Sequence, residues 1–394
     1  MAHQRSRYLL KILEKRLKLF PVVGILGARQ TGKSTLIRSI LAEKRNIEYV
    51  TLDREENRLR ALNSPTLFIK NLGDSKNTVI CIDEIQKAPV LFDTIKAEVD
   101  ELRRPGRFIV TGSTEFSKKI GVRESLTGRI GLLRLFPLSV GETIEIESTL
   151  PIPDLYKGKE RAASVLREVH RWRELGGMPG ICFIREEESR SVLVEAWIET
   201  TCSRDLANFA IARFNPDLAR RILFSIAQCD PPIRTEIARR VGKLPRQIEP
   251  YIQAFKALHT IYEVEPYQTG TGKPLLYLFD AAVAKACGSD DKRRLQIWFL
   301  NECYSQFANS GRSSPEIFYY QTAKGSRVDF VLASRKVKGA FMLSEDETPS
   351  VYYLRTAEAF AKKHPEIPVI ILNPGLKPFK LSPHIRIVPW TAAV

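Results

Sequence analysis

The chain has little that would tie it to metal or disulfide chemistry. Its six cysteines (Cys81, Cys182, Cys202, Cys229, Cys287, Cys303) are scattered without a C-x-x-C pair, and its five histidines have no partners at ligand spacing. Structural zinc and a disulfide framework are therefore excluded, and a reducing cytoplasm is the expected compartment. No uninterrupted apolar stretch approaches the ~20 residues that span a bilayer, so no membrane partner is expected. The opening segment, MAHQRSRYLLKILEKRLKLF, is broken by charge throughout and lacks a signal peptide's apolar core. It reads as an amphipathic helix packed on the first domain. Acids are also in short supply: 45 Asp and Glu face 61 Lys and Arg, a net charge of +16. That surplus invites a polyanion partner. Over half of it sits at the front, where residues 1–45 carry eleven Lys or Arg against two Glu.

What is present is more specific. At 394 residues the chain is long enough for two or three domains. Residues Gly27 to Ser34 read Gly-Ala-Arg-Gln-Thr-Gly-Lys-Ser, a complete G-x-x-x-x-G-K-[ST] phosphate-binding loop. Val22 to Leu26 before it is apolar and β-branched, as a buried parallel strand requires. Ser34 to Lys44 after it puts Leu36, Ile37, Ile40 and Leu41 on one helical face. Strand, loop and helix in that order form a phosphate cradle. Gly27 and Gly32 let the backbone curl so that the N–H groups of Gly27, Ala28, Arg29, Gln30, Thr31, Gly32, Lys33, Ser34 and Thr35 surround phosphate oxygens. Lys33 supplies charge to the β- and γ-phosphates, and Ser34 a hydroxyl ligand to Mg²⁺. The expected cofactors are ATP and Mg²⁺.

A second strand should end in acids at the same sheet edge. Thr78-Val-Ile-Cys-Ile-Asp83-Glu84 fits, with Asp83 as a Mg²⁺ ligand and Glu84 as the base that activates water. Phe108-Ile-Val-Thr111-Gly112-Ser113 reads as the next strand. Its terminal hydroxyls, Thr111 and Ser113, are candidates to sense the γ-phosphate or to position water. Arg129 follows Gly128 just before the apolar run at Leu132, and could reach the γ-phosphate in cis or across a subunit boundary.

These elements, together with Ile82-Asp-Glu-Ile-Gln86 and Leu126-Thr-Gly-Arg129…Pro137-Leu-Ser139, resemble the AAA-type ATPase domain of a large bacterial and archaeal family. Its members carry a C-terminal domain of unknown function, and the ATPase part is similar to AAA+ and STAND-like P-loop NTPases. The resemblance continues in Leu175-Gly-Gly-Met-Pro179 and in Trp197-Ile-Glu-Thr…Ser203-Arg204-Asp205-Leu206. It implies an α/β fold: a P-loop NTPase parallel sheet, a helical and winged-helix part, then a smaller α/β nuclease-like domain.

The expected divisions are an ATPase domain over 1–145, a Pro-rich linker at 145–160, a helical segment over 161–214 and a winged helix-turn-helix over 215–288. A degenerate nuclease-like domain takes 289–394. The winged helix is read from helices at Leu218–Gln228, Ile233–Val241 and Arg246–His259, then strands at Ile261 and Leu275–Asp280. In a DNA reader Arg246, Gln247 and Gln253 would meet bases or phosphates, with Arg239, Arg240 and Lys243 positioning them. Residues 216–285 hold ten basic and seven acidic residues, a modest surplus that leaves DNA reader and structural joint both open. In the last domain the resemblance implies an acid on the first helix, an aspartate on one strand and a Glu-x-Lys on the next. Asp329 stands at the aspartate, but Gln296 replaces the helix acid, with Glu302 farther along. The next strand reads Ala340-Phe-Met342-Leu-Ser344. Nuclease activity is therefore not expected.

The function so read is Mg²⁺-dependent ATP hydrolysis coupled to rearrangement of domains or DNA. DNA is an expected partner through the winged helix and the basic N-terminal region, and a second copy of the chain through Arg129. A slow, nucleotide-switched DNA-binding regulator and an ATP-dependent nuclease are the alternatives.

Overall fold

The computed structural model describes residues 5–41, 43, 46–73, 78–114, 126–146, 152, 164–312, 315–333, 338–375 and 377–394. Most of the 145–160 linker lies outside them. The described chain forms two compact units, one of residues 1–136 with 257–259 and 308–311, the other of the remainder. None of the described helices is long and apolar enough to cross a membrane.

The first unit is built on five parallel strands, β1 (Val22–Leu26), β2 (Ile47–Thr51), β3 (Val79–Asp83), β4 (Phe108–Gly112) and β5 (Ile130–Arg134), in the order β2-β3-β4-β1-β5. Strands β1, β3 and β4 are buried at every position. Both faces are covered, which is why they read as unbroken apolar runs rather than alternating ones. Alternation survives in what each residue touches. Val22, Leu26, Ile80, Ile82, Phe108 and Val110 pack with the helices Pro65–Lys70 and Leu91–Glu101. Val23, Ile25, Cys81 and Ile109 pack on the opposite face, with helix α1 (Leu9–Leu17) and with Leu36, Ile37 and Leu41 beyond the phosphate loop.

Helix α1 buries Leu9, Leu10, Ile12, Leu13 and Leu17 and leaves Lys11 and Lys15 exposed, as is Lys18 just past its end. Each buried side chain contributes roughly 1.5–3 kcal/mol from removal of apolar surface from water. The helix after the loop begins at Lys33–Thr35 and continues over Leu36–Leu41 with turns widened to the π spacing.

In the second unit, helices Pro216–Gln228, Arg234–Arg240 and Pro245–Ala257 precede an antiparallel pair, β6 (Ile261–Pro266) and β7 (Leu275–Leu278). Asn215 caps the first of these helices by accepting from Leu218 N at 2.8 Å, with Pro216 at its start. The sequence reading separates this pair from the domain that follows, but the structure joins them. Strand β6 also pairs in parallel with β8 (Glu316–Gln321), Glu265 opposite Phe318. The strands that follow are β9 (Arg327–Ala333), β10 (Lys338–Leu343), β11 (Val369–Asn373), β12 (Phe379–Lys380) and β13 (Ile385–Pro389). The result is a single sheet of eight strands in the order β12-β13-β11-β10-β9-β8-β6-β7. Helix Val351–Lys363 packs Ala357, Phe360 and Ala361 against Val328, Val331, Ala340, Met342 and Val369 of that sheet.

The Leu175-Gly-Gly-Met-Pro179 motif acquires a packing reason in this unit. Asp280 is buried and accepts from Gly177 N at 2.8 Å and Ala282 N at 2.9 Å. A Cβ on Gly176, whose φ is +65°, would lie 2.1 Å from Asp280 Oδ1. Burial without a cation pushes the Asp280 carboxyl up to about 6, opposed by the surrounding backbone N–H groups.

Candidate nucleotide site

Parallel strands deliver their C-terminal ends to one sheet edge, and in open α/β sheets ligands bind outside that edge where the strand order reverses. Strand β1 runs there into Gly27, while β3 ends in Asp83 and β4 in Gly112, with β4 lying between the other two. Gly27 packs tightly: a Cβ would lie 2.3 Å from Leu135 O. Gly32 turns the chain with φ +95°, a left-handed conformation that favours glycine. Of the other loop residues, Gln30 and Thr35 are exposed, Arg29 and Ser34 half-buried, and Ala28, Thr31 and Lys33 buried.

Lys33 Nζ donates to Gly27 O and Ala28 O, both at 2.9 Å, so its ammonium lies against the loop it serves. Burial lowers its pKa, while the Glu84 and Asp83 carboxylates pull it back up. Asp83, itself buried, is ringed by hydroxyls. It accepts from Ser34 Oγ at 3.0 Å, from Tyr49 OH and from Thr111 Oγ1. Burial, reinforced by Asp83, raises the Tyr49 phenol above its ordinary range.

Glu84 has a left-handed backbone (φ +58°), and its N–H reaches Thr111 Oγ1 at 3.3 Å. Its carboxylate accepts from Ser113 Oγ at 3.0 Å and from Gln86 Nε2. Lys33, Ser34, Asp83, Glu84, Thr111 and Ser113 are thus brought to one place, with the Thr111 hydroxyl on Asp83 and that of Ser113, just past β4, on Glu84.

The donor set fits Mg²⁺. A hydroxyl and a carboxylate oxygen 3.0 Å apart match two adjacent oxygens of an octahedron with ~2.1 Å bonds, leaving the other positions to phosphate and water. Among the described residues there is no cluster of three His, Cys, Asp or Glu that would hold a metal by itself.

Arg129 is not part of this cluster. Ile130 pairs with Val22 at the start of β1, and Arg129 O accepts from Val22 N at 3.2 Å. The arginine therefore lies at the N-terminal edge of the sheet, a full strand length (about 13 Å at ~3.3 Å per residue) from the loop. Its Nε donates to Asp100 Oδ1 at 2.6 Å. This corrects the in-cis expectation: a residue that precedes a parallel strand sits at the wrong end of it.

Three contributors were missed. Gln86 sits inside a quoted motif but has no pattern of its own. Tyr49 reaches Asp83 from the neighbouring β2, and Arg7 reaches the loop from before α1, its nitrogens donating to Thr31 O and Phe136 O.

In the second unit Asp329 is buried between Gln296 Nε2 and Leu343 N, both at 2.8 Å, one to each carboxylate oxygen. Glu302, the substitute acid on the same helix as Gln296, accepts instead from Val140 N at 2.7 Å and Gln306 Nε2 at 3.2 Å. Before the β6–β7 pair, Arg246 on the last helix and Lys243 in the turn that precedes it are exposed. The other candidates there have protein partners: Arg239 pairs with Glu236, Arg240 with Gln228, Gln247 with Leu244 N and Gln253 with Glu249.

Residues 19–144 match the model of a family described as an AAA domain, and residues 166–292 match that of a domain of unknown function. The chain is similar to uncharacterised proteins of Mycobacterium tuberculosis and Mycobacterium bovis. Each is 26% identical over 396 residues, covering 96% of this chain and 82% of the relative. Among solved structures it is similar to a Walker-type ATPase of Pyrococcus abyssi, at 16% identity and a TM-score of 0.46, over 73% of this chain and 99% of that one. The front of this chain thus carries a phosphate-binding loop on a five-stranded parallel sheet, and its residues 19–144 are similar to AAA domains.

Proposed function

We propose that the protein binds ATP with Mg²⁺ and hydrolyses it at the β1, β3 and β4 edge. The observation that carries this reading is the convergence of Ser34, Asp83 and Glu84 there, with Ser34 bonded to Asp83 at 3.0 Å and the adjacent Glu84 held by Ser113. Ser34 and Asp83 would hold the metal, whose charge offsets that of the phosphate oxygens. Lys33 leaves Gly27 O and Ala28 O for the β- and γ-phosphates. Glu84 accepts the proton of the water whose oxygen attacks the γ-phosphorus, as the bond to the bridging oxygen breaks and ADP leaves. Turnover of ATP by the wild type that is abolished in Lys33→Ala supports the assignment; equal rates in the two would refute it.

A nucleotide-switched regulator with slow hydrolysis is the second reading, and the double hold of Gln86 and Ser113 on Glu84 favours it. Exposed Lys11 and Lys15 on α1 and Lys18 just after it, with Arg246 and Lys243 in the winged-helix region, offer cations to a DNA backbone. Turnover stimulated by DNA supports coupled rearrangement, and feeble turnover with binding of one DNA sequence supports the switch. The nuclease reading is disfavoured because both Asp329 oxygens already accept protein donors. Arg129, remote from its own loop, is left a role in hydrolysis only across a boundary between copies of the chain.

A further inference from the structure

A phosphate loop binds anions when its N–H groups face inward, which turns its carbonyls outward, where each needs a donor. Here Gly27 O and Ala28 O accept from Lys33 Nζ, and Ala28 O also accepts from Thr31 Oγ1 at 2.9 Å. Thr31 itself is fully buried, so water does not serve its carbonyl. Arg7, only 7% exposed, does: Nη1 donates to Thr31 O at 2.8 Å and Nη2 to Phe136 O at 2.7 Å. Phe136 follows Leu135, whose N–H donates to Leu26 O at 2.7 Å and whose carbonyl leaves no space for a side chain at Gly27. One planar guanidinium thus ties Thr31, in the middle of the loop, to the chain segment on which its first residue leans. The compact ammonium of a lysine lacks the planar fork that reaches Thr31 O and Phe136 O together.

We propose that Arg7 is a positioning residue for phosphate binding. Lys33 must leave the loop carbonyls to meet a phosphate, and the Arg7 fork then keeps Thr31 O outward and the N–H cradle formed. The inference rests on the nucleotide reading above. It gives the segment before α1 a part in nucleotide affinity, besides the anchoring supplied by the five buried apolar residues of that helix.

The test is calorimetric titration of the full chain with Mg-ATP for wild type, Lys33→Ala, Arg7→Ala and Arg7→Lys, with thermal unfolding of each measured without nucleotide. Arg7→Ala should raise the Kd about tenfold or more, as loss of charged hydrogen bonds to a loop would. Arg7→Lys should fall in between. Millimolar methylguanidinium should restore affinity to Arg7→Ala and not to Lys33→Ala; a merely loosened fold would gain nothing from it. A wild-type Kd in Arg7→Ala, or weakened binding that methylguanidinium leaves unchanged, overturns the proposal. If Arg7→Ala does not fold, a wild-type Kd in Arg7→Lys overturns it. A wild type that binds no ATP defeats the nucleotide reading and this inference together, whereas wild-type binding matched by Arg7→Ala defeats the inference alone.

Discussion

Ser34 and Asp83 stand 49 residues apart in the chain and 3.0 Å apart in space, hydroxyl to carboxylate. Parallel pairing produces that meeting: β4 lies between β1 and β3 and aligns their C-terminal ends. The same register determines what Arg129 can and cannot do.

Arg129→Ala should leave ATP turnover per chain within about twofold of wild type in dilute solution, because the guanidinium is bonded to Asp100 a full strand length away from the loop. Turnover measured across a hundredfold range of protein concentration checks this. A large loss in the variant that grows with wild-type self-association would instead assign Arg129 to a neighbouring copy.

The local parts of the fold were legible in the sequence. The phosphate loop and the strand ending in Asp83 are contiguous runs whose chemistry is written in adjacent residues. Tyr49 and Arg7 were not legible, since hydrogen bonds from a neighbouring strand or to main-chain carbonyls leave no spacing pattern. Arg129 was misplaced for a different reason: its residue type suits the chemistry, but strand direction puts it at the opposite edge. The joining of β6 to β8 rests on a pairing between Glu265 and Phe318, which nothing near either residue announces.

Asp280 should make stability depend on pH. Its carboxyl sits at about 6 against an ordinary 3.8, so the folded state binds the proton more tightly than the unfolded one. The stabilisation is full below the unfolded pKa and is lost as pH rises through the folded one, a change of about 3 kcal/mol between pH ~4 and ~6. Asp280→Asn does not titrate, so its stability relative to wild type should improve across that window. Urea unfolding of both proteins at several pH values measures the difference; parallel profiles would contradict it.

Asp329→Asn should lower stability by about 1–3 kcal/mol, the cost of disturbing a buried acceptor, because its two oxygens serve Gln296 and Leu343. It should leave Mg²⁺-dependent plasmid cleavage at the background that wild type also shows. Cleavage by wild type that disappears in this variant would restore the nuclease reading.

The most direct measurement concerns Glu84, whose carboxylate is held by Ser113 and Gln86 beside the Asp83 cluster. Glu84→Gln removes the proton acceptor and leaves Lys33, Ser34 and Asp83 intact. Incubated with radiolabelled ATP and Mg²⁺, it should retain unhydrolysed ATP at one per chain while turnover falls by roughly 10²- to 10⁴-fold. Hydrolysis at the wild-type rate in this variant would contradict the assignment of Glu84 and, with it, the catalytic reading of the site.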